Sequence, residues 1–200
     1  MTGPARGSDE PGSGPRKAST VPGAPASGSR AERGFEIRGG RSLRLGPLHH
    51  DELGDLFEMF EDVVRRGEGF PHEPPLTPSA FTSTWVEPVT LTLAARLEGE
   101  LSGAYYLKPN FVGRAAHIAN AGYMVRPRHR RLGIGRAMLE DSISRAPLLG
   151  FDAIQFNLVF ASNPARALYE GLGWKVVGRI PHAVDGEDCF VYWRSVGGSH

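Results

Sequence analysis

The stretch Arg130-Arg131-Leu132-Gly133-Ile134-Gly135 decides how this sequence folds. It follows an apolar, strand-like run at residues 117–125 and precedes a helix-like run at residues 136–145. A glycine-rich turn at a helix start exposes backbone N–H groups that have no partner inside the helix, and the helix dipole favours an anion there. Glycine also lets the backbone approach phosphate oxygens where a Cβ atom would collide. The stretch therefore predicts a strand, an anion-binding turn and a helix, and it suggests a cofactor that carries phosphate.

The common phosphate-binding motifs do not fit this turn. A P-loop needs a lysine after its second glycine, and none follows Gly133 or Gly135. The dinucleotide fingerprint needs a third glycine where Met138 stands. Several arginines near the turn would attract an anionic cofactor: Arg126, Arg128, Arg130, Arg131 and Arg136. Taken alone, the turn is equally compatible with an ordinary helix start in which the glycines only reverse the chain.

The composition excludes several classes of protein. There are 23 basic and 22 acidic residues, a net charge of +1, and no basic block with interleaved aromatics, so we expect no nucleic-acid partner. No segment approaches the roughly 18 apolar residues of a membrane span. We expect no secretory signal, because the first residues contain no apolar run. The single cysteine, Cys189, excludes an intrachain disulfide and fits a reducing compartment. We expect a cytoplasmic protein with no membrane contact and no metal ion at its site.

The chain divides into a tail, a domain and a short end. Residues 1–34 are mostly Gly, Pro, Ser and Ala, so they cannot bury enough apolar surface to offset the entropy of ordering. We expect a disordered tail over residues 1–34, a folded domain over residues 35–196 and a short flexible C-terminus over residues 197–200.

Hydrophobic periodicity and capping signals predict the elements of the domain. The predicted strands cover residues 42–45, 89–97, 100–107, 115–125, 152–160, 175–177 and 190–194. The predicted helices cover residues 49–66, a short segment that starts at Thr77-Pro78, residues 132–148 and residues 163–172. This order predicts an α/β fold whose mixed sheet is mainly antiparallel, with flanking helices and one parallel crossover.

Two motifs in this order resemble the GCN5-related N-acetyltransferase family. The first is residues 125–135, Val-Arg-Pro-Arg-His-Arg-Arg-Leu-Gly-Ile-Gly, and the second combines Ser162-Asn163-Pro164 with residues 168–174, Leu-Tyr-Glu-Gly-Leu-Gly-Trp. The resemblance extends over residues 42–195. It implies a GNAT-like sheet with a splayed central strand pair, acetyl-coenzyme A as cofactor and transfer of its acetyl group to an amine. Related enzymes often pair as homodimers.

The resemblance also assigns roles to residues at the cofactor site. It implies that the cofactor pyrophosphate rests on the backbone of Arg130, Arg131, Leu132, Gly133, Ile134, Gly135 and Arg136. The pantetheine arm would pair with the strand edge at Tyr123, Met124 and Val125. Tyr169 would protonate the departing thiolate, and Asn163 would contact the cofactor, although a core tyrosine and a plain helix cap are the alternatives. Asn163 and Tyr169 are six residues apart where the family commonly has seven, and one residue rotates a helical side chain by about 100°.

Further segments are similar to yeast-type acetyltransferases that act on L-azetidine-2-carboxylate and other proline analogues. These segments are Phe70-Pro71, residues 105–110, residues 117–123 and residues 156–160. The similarity implies that Asn120 and Asn157 bind a small amine substrate. A structural asparagine that pairs with a strand end is the alternative for these positions. No acidic residue lies on the strand at residues 115–125, so the general base stays open among His117, His72, Glu73 and water. Two alternative functions stay open. One is the acetylation of a protein or peptide amine, and the other is the sensing of acyl-coenzyme A without turnover.

Overall fold

A computed structural model describes residues 28–87 and 89–197, and within them eight strands form one sheet in the order β1-β2-β3-β4-β5-β6-β8-β7. The strands are β1 (Arg33–Ile37), β2 (Arg41–Pro47), β3 (Leu91–Leu97), β4 (Glu100–Pro109), β5 (Ile118–Val125), β6 (Ala153–Phe160), β7 (Lys175–Val184) and β8 (Glu187–Ser195). Neighbouring strands run antiparallel except β5 and β6, which are parallel. The predicted α/β fold with a mainly antiparallel sheet is confirmed.

Helices cover both faces of the sheet. They are α1 (Leu53–Arg65), α2 (Pro78–Phe81), α3 (Ile134–Arg145) and α4 (Arg166–Gly171), with 3₁₀ turns at His50–Glu52, Gly113–Ala115, Pro127–His129 and Pro147–Leu149 and a π turn at Thr82–Val86. α3 and α4 bury apolar side chains in a core on one face, and α1 and α2 bury theirs in a second core on the other face. In the described part of the chain, no helix is long and apolar enough to cross a membrane.

The parallel pair is short, and its strands then separate. β5 and β6 pair only from Ile118 opposite Ala153 to Asn120 opposite Gln155. β5 continues to Val125 alongside β4, while β6 continues alongside β8 through an irregularity between Phe156 and Val159. The predicted splayed pair is therefore present, and it opens a gap in the middle of the sheet.

Several predicted boundaries differ from the structure for local reasons. The helix predicted over residues 49–66 starts with a 3₁₀ turn, so α1 proper begins at Leu53. The strand predicted from residue 115 begins at Ile118, because Gly113 has a positive φ and residues 113–115 form a turn. The two last strands are longer than predicted, because Gly178 and Pro181 interrupt the apolar pattern of β7, an exposed edge strand that pairs with β8.

The first strand of the sheet begins two residues before residue 35, where the domain is predicted to start. Strand β1 starts at Arg33, and the carbonyl oxygens of buried Ser29 and exposed Ala31 accept hydrogen bonds from Arg145. Composition cannot reveal this, because the backbone rather than apolar side chains makes the contact. At the other end, the Gly197 amide donates to the Asp152 carbonyl oxygen at 3.0 Å, so residue 197 also belongs to the fold. The predictions for residues 1–27 and 198–200 lie outside the described residues.

A buried carboxylate organises the contact between this N-terminal segment and α3. Asp141 accepts hydrogen bonds from the Tyr105 hydroxyl at 2.7 Å, Arg145 Nε at 2.7 Å and Arg33 Nη1 at 3.0 Å. The side chains of Asp141 and Arg145 have no exposed surface. Burial, followed by the charge of Asp141, raises the pKa of the Tyr105 phenol well above its usual value, so this hydroxyl remains a donor. The cluster connects β1, β4 and α3.

We expect Arg145→Met to lower the free energy of unfolding by about 3–5 kcal/mol, because it breaks a buried ion pair and leaves two carbonyl groups without their donor. Arg136→Met is the matched control, since Arg136 forms an exposed pair with Glu140 one helical turn away and such pairs contribute little. Urea unfolding measures both. Equal effects of the two substitutions would contradict the structural role of the Arg145 cluster.

Candidate active site

A cavity of about 410 Å³ lies where β5 and β6 separate. Its walls come from the loop before α2, the π turn, three strands and the start of α4. The lining residues are Gly69, Phe70, Pro71, His72, Ser83, Thr84, Tyr106, Lys108, Asn120, Ala121, Gly122, Tyr123, Phe156, Asn157, Leu158, Val159, Asn163 and Tyr169. The structure therefore brings together five of the predicted site residues: Asn120, Tyr123, Asn157, Asn163 and Tyr169.

The edge of β5 beside this cavity can accept a further hydrogen-bonding partner. The Arg126 amide donates to Ser102 and the Ile118 carbonyl accepts from Asn110, so even-numbered residues of this segment face β4. Backbone groups in an antiparallel ladder alternate between the two neighbouring strands. Those of Tyr123 and Val125 must then face the side of β6, beyond the point where pairing with β6 ends. A ligand with amide groups can occupy such an edge as an additional strand would.

The predicted anion-binding turn lies at the start of α3. Gly133 stands at the N-cap with φ +98°, a conformation that suits glycine, and Arg131 also has a positive φ of 64°. A Cβ atom built on Gly135 would meet nothing within 4 Å, so the space beside its backbone is open. The first N–H groups of α3 lack partners inside the helix. The predicted turn is present, and its geometry leaves room for an oxyanion.

The arginines around this turn are less available than the sequence suggests. Arg128 forms an ion pair with Glu100, and Arg130 forms one with Glu68. Arg136 pairs with Glu140 at 3.1 Å. Across residues 28–87 and 89–197, no ion pair involves Arg131, which is exposed. The positive field at the turn therefore comes from the helix N-terminus and Arg131 more than from the whole arginine cluster.

Tyr169 on α4 lines the cavity, and the pKa of its phenol is raised. Its ring is 9% exposed and lies against Phe156, with 5.0 Å between ring centroids. Burial raises the pKa of Tyr169 to about 12, although a hydrogen bond from its neighbour Asn163 acts in the opposite direction. The phenol is therefore protonated at neutral pH, and its O–H can donate to negative charge that develops on a sulfur beside it.

Asn163 and Tyr169 meet in the cavity despite their shorter spacing. The Asn163 side-chain oxygen accepts from the Ala165 amide at 2.9 Å, so Asn163 caps a turn that precedes α4. α4 itself begins at Arg166, three residues later than predicted, because this initial turn is not α-helical. Because this turn is not α-helical, the spacing of six residues instead of seven does not separate the two side chains. Asn163 remains within hydrogen-bonding contact of Tyr169.

Tyr123 differs from Tyr169 in the direction of its hydroxyl group. The Tyr123 hydroxyl shares a 2.7 Å hydrogen bond with Ser142 of α3. Its ring stacks on Tyr105, with a centroid distance of 5.6 Å. Burial raises the pKa of the Tyr123 phenol far above its usual value. Since the Tyr123 hydroxyl is held by α3, Tyr169 is the better placed proton donor.

Asn120 lies at the point where the two strands separate. Its Nδ2 donates to the Gln155 carbonyl at 3.1 Å, and its Oδ1 accepts from the Tyr106 hydroxyl at 3.3 Å. Asn120 thus supports the structure, as the alternative interpretation holds, and also lines the cavity. An asparagine amide has two hydrogens and its carbonyl oxygen two lone pairs, so one donor and one acceptor site remain for a ligand.

Asn157 is part of a reciprocal amide pair. Its Nδ2 donates to Asn110 Oδ1 at 2.6 Å, and its Oδ1 accepts from Asn110 Nδ2 at 3.1 Å and from Gln155 Nε2 at 2.9 Å. This pair connects the end of β4 to β6 across β5. Asn157 therefore has less capacity left for a ligand than Asn120.

Sequence reasoning missed the contribution of Tyr106. A Cβ atom on Gly122 would lie 2.5 Å from the Tyr106 ring, so only glycine allows the ring to cover this part of β5. The available signal was a glycine in the interior of a strand, which often marks a close approach. Tyr106 forms a wall of the cavity, and burial raises its pKa to about 12.

Of the three side chains considered as the general base, only His72 lines the cavity. His117 binds the Arg114 carbonyl in an exposed turn, and neither His117 nor Glu73 lines the cavity. His72 does line it, with Nε2 3.0 Å from Thr84 Oγ1 and a buried Nδ1 that lacks a hydrogen-bond partner. The Thr84 hydroxyl donates to the Ala80 carbonyl, which makes His72 Nε2 the donor in their contact. Burial, followed by the charge of Lys108, lowers the pKa of His72, so its ring is neutral.

The sequence of this chain is similar to a known protein family and to a known acetyltransferase. The Acetyltransferase (GNAT) family matches the chain over residues 55–174. The N-acetyltransferase aca1 of Schizosaccharomyces pombe is 41% identical over 151 residues, which cover 74% of this chain and 66%, just under two thirds, of that protein.

Solved structures show the same fold. A GCN5-related N-acetyltransferase from Kribbella flavida superposes with a TM-score of 0.72 at 31% identity, over 76% of this chain and 97% of that one. The protein yncA from Salmonella typhimurium, solved with acetyl-coenzyme A, has a TM-score of 0.68 at 14% identity, over 78% of this chain and 95% of that one. With the splayed strands, the turn at α3 and the family match in agreement, this chain belongs to the GNAT family of acetyl-coenzyme A-dependent N-acetyltransferases.

Proposed function

We propose that this enzyme acetylates the amine of a small molecule, with a cyclic amino acid or proline analogue as the first candidate. The observation that carries the proposal is the shape of the cavity at the strand separation. Phe70, Pro71 and His72 form a wall beside the open strands, and the volume of about 410 Å³ is in the range of small-molecule sites. A peptide substrate would need an open groove instead of this wall.

The residues present fit the cofactor of the family. Acetyl-coenzyme A supplies an acetyl thioester as acyl donor. Backbone N–H groups at residues 130–136 would hold its pyrophosphate, where the space beside Gly135 is open. The free edge of β5 at Tyr123 and Val125, with Met124 between them, would hold the amides of its pantetheine arm. Asn163, which lines the same cavity, would contact the cofactor near its reactive end.

The transfer requires that a C–N bond forms and the C–S bond breaks. We assign to Tyr169 the proton that the departing sulfur acquires, because its phenol borders the cavity and is protonated at neutral pH. Asn120 and Asn157 would orient the amine between the separated strands. The amine must lose a proton, and water in the cavity can take it. No acidic side chain lines the cavity among the described residues.

Thiol release from acetyl-coenzyme A tests the proposal directly. The panel holds azetidine-2-carboxylate, proline analogues, ordinary amino acids, polyamines, aminoglycosides and short peptides. Turnover confined to small amino acids supports the proposal. Turnover of peptides alone would replace it with a peptide acetyltransferase. Cofactor binding by calorimetry without thiol release from any amine would favour a sensor.

We also propose that the protein is cytoplasmic and that two copies form a homodimer. Edge strand β7 exposes Val176, Val177 and Ile180, which supports association of two copies along this side. Sedimentation equilibrium of the purified chain tests the homodimer, and a monomer at micromolar concentration would remove it.

Gly135→Val should abolish acetyl-coenzyme A binding while the fold stays intact. The valine side chain would fill the space beside the backbone where the pyrophosphate would rest. Apart from the neighbouring residues and the backbone of α3 itself, no described atom lies within 4 Å of the new Cβ. Calorimetry measures the affinity and urea unfolding the stability. Gly54→Val, at an exposed position of α1 where the new Cβ also meets nothing within 4 Å, is the control for the loss of a helical glycine. Normal cofactor affinity in Gly135→Val would refute the phosphate site.

Tyr169→Phe should lower the turnover number on the order of 10²-fold, the scale of general acid catalysis, with cofactor affinity nearly unchanged. Tyr192→Phe is the control, because Tyr192 packs on Tyr169 while its hydroxyl donates to Glu170 outside the cavity lining. The high pKa of Tyr169 also predicts that the wild-type rate does not fall up to pH 10 through loss of this proton. An unchanged turnover number in Tyr169→Phe would remove it as the acid.

Asn120→Ala should raise the Michaelis constant of the amine roughly tenfold, the effect of one lost hydrogen bond to a charged group, and that of acetyl-coenzyme A much less. Steady-state kinetics with each substrate varied in turn measures both constants. Asn110→Ala is the comparison, since it removes the partner of Asn157 outside the cavity lining. Equal rises in both Michaelis constants would argue against substrate contact by Asn120.

A further inference from the structure

The cavity has an unbalanced charge. Its lining contains two side chains that can carry positive charge, Lys108 and His72, and no Asp or Glu among the residues that the structure describes. His72 is neutral, because burial and the neighbouring Lys108 lower its pKa. Lys108 is therefore the cation of this site. A cavity with one cation and no carboxylate is suited to a ligand that brings its own negative charge.

Lys108 is held in a position from which it can reach a ligand. It stands on β4 directly opposite Asn120 of β5, and residues opposite each other in a ladder project from the same face. Its ammonium group lies 4.9 Å from the centroid of the Tyr106 ring, a cation–π contact. Tyr106 in turn donates to Asn120. The three side chains thus form a continuous polar edge at the strand separation.

The Lys108 ammonium has no anionic partner in the described part of the chain. Among residues 28–87 and 89–197, no ion pair or side-chain hydrogen bond involves it, whereas Arg128, Arg130 and Arg136 around the cofactor turn each face a carboxylate. Burial lowers the pKa of Lys108, which means that its charge is less well solvated than on an open surface. A carboxylate from a ligand would restore the missing interaction.

We propose that Lys108, together with the remaining N–H of Asn120, binds the carboxylate of the substrate and so selects amino acids among small amines. The inference rests on the proposed function, whose substrate class it defines. The aromatic rings of Phe70, Tyr106 and Phe156 then surround the apolar part of the amino acid. Polyamines and aminoglycosides are disfavoured, because their additional cations meet Lys108 and no carboxylate. Lys108 is a specificity-determining residue, and Tyr169 keeps its separate role at the leaving thiol.

Binding of an acid and its neutral amide tests the assignment without turnover. The probes are L-azetidine-2-carboxylate and glycine, each paired with the corresponding carboxamide, which differs only at the carboxylate. Calorimetry in saturating free coenzyme A, which has no acetyl group to transfer, measures their affinity. We expect the wild type to bind at least one acid roughly tenfold or more tightly than its amide, since charge-assisted contacts are of this size.

Three variants complete the design. Lys108→Met keeps the length of the side chain without its charge and should bind acid and amide equally. Lys108→Arg should retain part of the preference for the acid. Lys175→Met, on the exposed edge strand β7, should behave like the wild type. Unchanged amide affinity in Lys108→Met shows that the variant is folded.

The outcomes separate this inference from the proposed function. Lys108-dependent acid binding without thiol release in the presence of acetyl-coenzyme A would support the carboxylate site and refute the acetylation of amino acids. Thiol release with equal wild-type affinity for acid and amide would keep the enzyme and overturn the role of Lys108. The inference also fails if Lys108→Met retains the preference for the acid, or if the wild type binds none of the acids.

Discussion

The separation of β5 from β6 beyond Asn120 and Gln155 is the constraint on which the site depends. Three residue pairs join the strands, and each strand then follows its other neighbour. Asn120 occupies the last paired position and connects Gln155 of β6 to Tyr106 of β4 through its side chain. The separation leaves the backbone of β5 free for a ligand and opens the cavity beside it. One structural feature therefore creates both the expected cofactor edge and the expected amine site.

Charge is distributed differently at the two ends of this site. At the start of α3, carboxylates neutralise several arginines, so the anion site depends mainly on backbone N–H groups. In the cavity, Lys108 faces no carboxylate from the described residues, and the neutral His72 adds no second charge. The phenol of Tyr169 stays protonated between the two ends. This arrangement is compatible with an anionic cofactor at one end and an amine that carries a carboxylate at the other.

The sequence predicted the parts of the fold that rest on local signals. The glycine turn at Gly133, the helices with an apolar face and the central strands follow from periodicity and capping, and the family motifs supplied the splayed pair. The start of the fold before residue 35 was missed, because Arg145 anchors the segment that leads into β1 through the carbonyl groups of residues 29 and 31. Lys108 was missed because the sequence does not show which side chains surround it. Only the folded cavity shows that no acidic side chain of the described residues lies beside its ammonium group. The contact between Asn163 and Tyr169 depended on a non-helical turn that spacing alone cannot predict.

The most direct measurement is a crystal structure of the enzyme with coenzyme A and L-azetidine-2-carboxylate. The pantetheine arm should pair with the backbone of Tyr123 and Val125, with the thiol beside the Tyr169 hydroxyl. The amino acid should lie in the cavity with its carboxylate on Lys108 and its amine directed toward the thiol. A cofactor bound away from the gap between β5 and β6, or an amino acid held outside the cavity, would contradict the account.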